Sequence, residues 1–437
     1  MDWLASVAAT HSASPAVIAD DRTVSYGELD LAANGAAAII SASGLGSTAV
    51  AFWGDRSIEA IAAAWGIPRA GVTAVPIDPA MPPAEAMDLT AAAGVKGLWA
   101  TPDGGFDRLV ARGRGSFEPV ERADVPYIIF TSGSEARPKG VLLTDGNIEA
   151  AVQASRDRLH NDSADSWLCV LPLFHVSGLS ILWRQAEAGG PVVLLERFDV
   201  DAVAAALDRV AFASLVPVML HRLLETERQW SGLDTVLVGG AAADQLLLER
   251  GRTAGLPVAA TYGMTEMCSQ VATASAAEPL DGSVGVALPG AEVMVTIDGA
   301  SAVGVEGRIE VRGEMLSPGY LGEPSRDPGE WFITGDVGAV DADGRLTVVG
   351  RVDRVIVTGG ENVHPAMVER LLATNPAVRG ARVFGEDDDE WGMLVAAEVE
   401  TDESVASLES WAEDRLAPSM RPRRWYVVDR VEGKLDA

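Results

Sequence analysis

The sequence predicts an α/β fold: a large N-terminal domain of layered α/β subdomains plus a small β subdomain, followed by a small mobile α+β C-terminal domain. Three observations predict it. Short apolar runs alternate with Ala/Leu-rich helical stretches from about Thr23 to about Ala260. Gly and Pro become frequent between about Gly282 and Gly350, among short β-like runs. After Gly350-Arg351-Val352-Asp353-Arg354 the chain returns to mixed α and β texture, with about 85 residues left, enough for a lid. The domains are read as 1–351 and 352–437.

The runs Ala49–Trp53, Thr73–Val75, Tyr127–Thr131, Trp167–Leu171, Val192–Leu195, Ser214–Val216, Val236–Val238 and Val258–Tyr262 read as strands. Between them Ile58–Trp65, Asp201–Leu207 and Gln245–Arg250 read as helices, and such alternation implies mostly parallel strands. Glu292–Ile297, Arg308–Val311 and Arg345–Val349 read as strands of the small β subdomain.

The formal net charge of −29 argues against nucleic acid or an anionic membrane as partner, because both need a basic surface. Any polyphosphate ligand must be held by local dipoles and a few cations. Cys169 and Cys268 are far apart and in no paired spacing, which argues against a disulfide framework or zinc site and for a reducing cytoplasm. The start, Met1-Asp2-Trp3-Leu4, does not read as a signal peptide, and no apolar run reaches the length of a membrane span. Oligomeric state is left open, a homodimer included.

Of 34 basic residues only three are lysines, Lys96, Lys139 and Lys434. A chain that otherwise uses arginine keeps lysine where a compact, mobile ammonium is needed. Lys96 has nothing around it to support a role. Lys139 closes the Gly/Ser/Thr-rich loop Thr131-Ser132-Gly133-Ser134-Glu135-Ala136-Arg137-Pro138-Lys139-Gly140, and Lys434 stands in Gly433-Lys434-Leu435. Small residues let backbone approach phosphate oxygens, and the hydroxyls of Thr131, Ser132 and Ser134 can donate to them. The loop is not a Walker A motif, because Pro138 precedes and Gly140 follows the lysine.

The loop instead resembles the phosphate loop of the acyl-adenylate-forming superfamily, and the resemblance continues in order along the chain. Tyr262-Gly263-Met264-Thr265-Glu266 resembles the adenine and metal motif, with Tyr262 against a purine and Glu266 on Mg²⁺. Gly239-Gly240-Ala241 suits close backbone approach to the other adenine face. Thr334-Gly335-Asp336 resembles the ribose motif, with Arg351 as partner of Asp336 on the sugar. Asp353 matches the hinge, Gly359-Gly360 the CoA channel, and Lys434 the lysine on the α-phosphate and acyl carboxylate. The implied chemistry joins an acid to CoA with ATP and Mg²⁺, pyrophosphate being displaced first.

The acid is addressed by Leu171 to Arg184. Amino-acid-activating relatives carry an Asp near this point, and here Phe174-His175 stands without an acid, so the substrate lacks an amine. Arg184 ends an apolar run and would face a second carboxylate; an exposed helix position is the competing reading. The segment resembles the o-succinylbenzoate–CoA ligases of menaquinone biosynthesis, as does Ser269-Gln270 after the metal motif. That resemblance implies an aromatic keto-diacid, with His175 as a catalytic gate and Ser177, Arg184, Ser269 and Gln270 near the acyl pocket. A hydrogen-bonded core histidine is the alternative for His175. Other readings are an aryl- or fatty-acid–CoA ligase and a nucleotide-binding pseudoenzyme.

One departure bears on activity. The superfamily loop carries Thr-Gly where this chain has Glu135-Ala136. A carboxylate 4 Å from a phosphate charge costs about 4 kcal/mol at an effective dielectric near 20, and Ala136 loses glycine's access to positive φ.

Overall fold

The computed structural model describes residues 2–19, 22–44, 49–99, 106–107, 124–131, 138–241, 243, 245–327, 329–352, 355–358, 361–388, 391–429 and 431. Two large sheets, one small antiparallel sheet and a C-terminal α+β unit make up the molecule.

The first sheet holds Ala49–Trp53, Thr73–Ile77, Val95–Trp99 and Tyr127–Thr131 in parallel, with Lys139–Leu143 returning antiparallel on Tyr127–Thr131. The second and larger sheet runs parallel from Val258–Met264 through Thr235–Val238, Phe212–Leu215, Trp167–Cys169 and Val192–Leu194 to Pro15–Ile18. Antiparallel strands close it at both ends: Thr23–Ser25 at one, Ser269–Thr273 and Val286–Ala287 at the other. The strand Trp167–Cys169 stops two residues earlier than its apolar run, where Leu171-Pro172 turns toward the next helix and Pro172 has no N–H for a ladder.

Helices Tyr26–Ala42, Ile58–Arg69, Asp145–Leu159 and Val176–Ala188 contribute to the principal core together with strands of both large sheets. Local signals set their ends. Ser25 and Glu28 form a reciprocal cap on the first, Thr144 and Asn147 on the third, and Gly189 terminates the fourth in a left-handed conformation. Gly66 permits close helix contact, since a Cβ there would lie 2.6 Å from the Ala33 carbonyl oxygen. Val176–Ala188 is buried almost all round, as a helix between two layers must be.

The expected β subdomain is a five-stranded antiparallel sheet of Ala291–Ile297, Ala300–Ala302, Gly307–Gly313, Phe332–Val340 and Leu346–Arg351. The C-terminal unit packs helices Pro365–Ala373 and Val405–Arg415 on strands that include Gly380–Asp388, Gly392–Glu400 and Arg424–Val428, around its own core. No described helix is long and apolar enough to cross a membrane.

Candidate active site

A cavity of about 820 Å³ opens at the carboxyl ends of the central strands of the larger sheet, the end at which open α/β sheets bind ligands. The start of helix Val176–Ala188, the segment Val216–Met219 and the turn Gly239–Ala241 wall it, with Arg379, Ala381 and Val431 from the C-terminal unit. Gly239 is required by contact, because a Cβ there would sit 2.5 Å from the Thr261 carbonyl oxygen. Gly240 has φ +78°, which glycine adopts without strain.

The neighbouring strand Val258–Met264 ends in the short turn Thr265–Met267 and returns as Ser269–Thr273. The return is tight. Cys268 has φ +53° and Ser269 φ +118°, two consecutive non-glycine residues in sparsely populated backbone. Such residues cost about 1–3 kcal/mol each and cluster at ligand sites. A Cβ on Gly263 would meet the Ser269 carbonyl oxygen at 1.9 Å, so only glycine fits the inside of this hairpin.

Three of the residues that the resemblance puts on the nucleotide stand together. The Tyr262 hydroxyl donates to Asp336 Oδ2 at 2.6 Å, and Arg351 Nη1 lies 3.5 Å from Asp336 Oδ1. The Asp336 amide donates to Thr334 Oγ1 at 3.1 Å, which sets the turn. Around Glu266, the Tyr320 hydroxyl donates to Oε1 at 2.7 Å. The Lys139 ammonium lies 5.4 Å from the Tyr320 ring centre and 3.9 Å from Glu323. Burial, then the adjacent carboxylate, pushes both Tyr262 and Tyr320 far above the ordinary phenol range. Both therefore remain donors, holding Asp336 and Glu266 as acceptors. Tyr320 links Lys139 to Glu266, and no feature of the sequence singles it out.

At the other end Arg184 is 5% exposed, which excludes a surface position. Its guanidinium lies 5.3 Å from the Trp167 ring centre, and Nη2 donates to Ser269 Oγ at 3.2 Å. No carboxylate among the described residues pairs with it, and burial alone pushes its pKa down to about 9, so it stays charged at neutral pH. The Ser180 hydroxyl, 3.3 Å from Ser269 Oγ, completes the cluster; it is a buried polar residue in an apolar helix, which the notation of charge and motif does not reveal. His175 stands at the N-cap position of that helix, packs its ring 4.5 Å from Phe174 and lines the cavity with Ser177, so it is not a core histidine. Gln270 also lines the cavity and is 5% exposed.

Thr131 and Lys139 face each other on the hairpin Tyr127–Leu143, with Thr131 Oγ1 donating to the Lys139 carbonyl at 3.4 Å. Met264 and Thr265 line the cavity. Ser132, Gly133, Ser134, Glu135, Ala136, Asp353, Gly359, Gly360 and Lys434 lie outside the described residues.

Residues 4–114 and 110–321 match the family model of AMP-binding enzymes, and residues 367–434 match the model of that family's C-terminal domain. A 2-succinylbenzoate–CoA ligase of Bacillus licheniformis is 37% identical over 326 residues, covering 72% of this chain and 68% of its own length. Among solved structures, the o-succinylbenzoate CoA synthetase of Bacillus subtilis with its acyl-adenylate intermediate superposes with a TM-score of 0.89 at 31% identity, covering 99% of this chain and 95% of that one. The same enzyme with ATP and magnesium gives 0.87 at 30% identity, covering 99% and 96%.

Proposed function

The chain belongs to the AMP-binding enzyme family, and from that premise we propose that it is an ATP-dependent ligase that joins 2-succinylbenzoate to CoA in menaquinone biosynthesis. The observation that carries the choice of acid is Arg184: a cation 5% exposed, beside a serine hydroxyl on a cavity wall, with no described carboxylate to pair with. A buried charge without a counter-charge is costly. A substrate with a second carboxylate supplies that counter-charge, and a fatty acid or a plain aryl acid with one carboxylate does not.

The reaction has two steps. A carboxylate oxygen of the acid attacks the α-phosphorus of ATP and pyrophosphate leaves. The CoA sulfur then attacks the acyl carbon and AMP leaves, its phosphate oxygen taking the electron pair. Both reactants of the first step are anions, so the chain must offset their repulsion and hold them in line. We assign the β- and γ-phosphates to Thr131–Ser134 and Lys139, and the α-phosphate with the reacting carboxylate to Lys434. Asp336 and Arg351 take the ribose. Gly239–Ala241 and the Tyr262–Thr265 strand end take the base.

Among the described residues no group of three or more His, Cys, Asp or Glu could hold a metal by protein ligands alone. Mg²⁺ binds through one or two carboxylates together with substrate phosphates, so the single carboxylate of Glu266, oriented by Tyr320, fits it. When bound with the nucleotide, the ion would offset phosphate charge.

For the second step we assign His175 as a gate between acyl and thiol sites, Asp353 as the hinge of a C-terminal domain beginning near 352, and Gly359-Gly360 as the lining of the thiol channel. Net charge speaks against nucleic acid as a partner, and a reducing cytoplasm suits the two buried free thiols.

The test supplies MgATP and CoA with 2-succinylbenzoate, benzoate, a fatty acid or an amino acid, and measures pyrophosphate release and thioester formation together. Thioester from 2-succinylbenzoate alone is the expected result. Turnover only with another acid refutes the assignment of the acid.

A further inference from the structure

The hydroxyl chain behind the cavity fixes the orientation of one amide. Thr261 Oγ1 donates to the Ala272 carbonyl at 3.2 Å, so its single proton is committed there. Thr273 Oγ1 lies 2.8 Å from Thr261 Oγ1, and with Thr261 donating to Ala272 it is Thr273 that donates within that pair. With its own proton committed, Thr273 accepts from Gln270 Nε2 at 2.8 Å. The amide oxygen of Gln270 is thereby turned to Ser155, whose hydroxyl donates to it at 2.7 Å. Ser155 and Thr273 are fully buried, and Gln270 is 5% exposed. The second N–H of Gln270 has no acceptor among the described residues, and the residue lines the cavity. A buried donor left without an acceptor is unfavourable, so this one is matched to a ligand.

Ser269 and Gln270 would normally point to opposite sides of their strand. The φ of +118° at Ser269 and a register shift opposite Tyr262 and Gly263 break the alternation, and both residues line the same cavity. Resting on the function proposed above, we infer that Gln270 is a specificity-determining residue that donates a hydrogen bond to the substrate's ketone oxygen. In 2-succinylbenzoate the ketone and the ring carboxylate hang from neighbouring ring carbons. A ring carboxylate on Arg184 and Ser269 therefore brings the ketone beside residue 270. A neutral amide N–H suits a neutral carbonyl, as the guanidinium suits the carboxylate.

The experiment measures kcat/KM, by pyrophosphate release, for 2-succinylbenzoate and for the analogue in which a methylene replaces the ketone. The unchanged protein is expected to prefer the ketone by about 10- to 100-fold, since a site built to donate rejects a ligand that cannot accept. In Gln270→Leu the preference falls to within about threefold, the loss being carried by the ketone acid. In Ser155→Ala the amide loses its lock and the preference falls about threefold to tenfold. A thermal shift by MgATP reports whether each variant is folded. An unchanged preference in a folded Gln270→Leu overturns the inference. If that variant does not fold, an unchanged preference in Ser155→Ala overturns it. Equal rates for the two acids in the unchanged protein also overturn it while leaving the proposed function standing. Turnover of neither acid refutes the proposed function itself.

Discussion

Two arginines of this molecule are taken out of water in opposite ways. The Arg69 side chain is 10% exposed and ends on two carboxylates, 2.5 Å from Asp2 and 2.6 Å from Asp30, with Asn34 Oδ1 accepting at 3.0 Å. Burial lowers its pKa, and the two aspartates more than offset that, so the net shift is upward. Arg184 is buried more deeply, with one serine hydroxyl and an indole face, and its pKa falls. The first arginine is complete without a ligand and ties the N-terminal helix to the helices behind it. The second is incomplete, and it stands on a cavity. A buried charge marks structure when its partner is in the chain, and a binding site when it is not.

The sharpest way to break this contrast is to remove each charge. Arg184→Met should lower kcat/KM for the diacid by about 10²- to 10³-fold, the effect of truncating one side of a desolvated charge pair. Its melting temperature should hold or rise, because an uncompensated charge has gone. Arg69→Met should do the reverse. It strands two partly buried aspartates and should cost about 3 kcal/mol in urea unfolding, while kcat/KM of the remaining folded enzyme stays within about twofold. Arg351 supplies an intermediate case. Its side chain is 44% exposed, so Arg351→Ala should change stability by less than about 1 kcal/mol and raise the KM for ATP about fivefold.

The phosphate loop tests whether the acyl end alone limits the enzyme. Glu135→Thr with Ala136→Gly should raise turnover or ATP affinity severalfold, by removing a carboxylate from phosphate oxygens. Equal kinetics would mean the carboxylate does not face the phosphates. The smallest effect is with pH. In the free protein burial lowers the Arg184 pKa to about 9, and a carboxylate bound beside it raises it again. The KM for the diacid should be flat from about pH 6 to 8 and climb above about pH 9. The unfolded chain holds this proton to higher pH, so over that range the group's own contribution to stability rises with pH while acid binding weakens. A stability contribution that fell with pH there would contradict the sign.

The strands of the parallel sheets were legible because apolar runs with β-branched residues, bounded by small or turn residues, have few other uses. Tyr127–Thr131 and Ala49–Trp53 have the expected ends. The strand Pro15–Ile18 and the edge strand Thr23–Ser25 beside it were not, because each is too short to carry a pattern. Ser269–Thr273 reads from sequence as the tail of a motif, and only the hairpin around Gly263 makes it a strand. In the site, charged and aromatic residues declare themselves by type, as Arg184, Glu266, Tyr262 and Asp336 do. Ser180, Ser155 and Thr273 act through position alone. A serine inside an apolar helix has the same one-letter signature whether its hydroxyl meets only a carbonyl of its own helix or, like Ser180 with the Ser177 carbonyl at 3.1 Å and Ser269 Oγ at 3.3 Å, reaches a neighbouring cluster as well. Tyr320 follows a Ser-Pro-Gly turn far along the chain from Glu266, and nothing short of the fold joins them.

On the proposed function, Arg184 waits for the second carboxylate of the acid. This is tested most directly by kcat/KM for 2-succinylbenzoate relative to the same keto-acid without its ring carboxylate, in the unchanged protein and in Arg184→Met. A preference of about 100-fold or more for the diacid is expected, collapsing to within about threefold in the variant. A preference that survives Arg184→Met would contradict it.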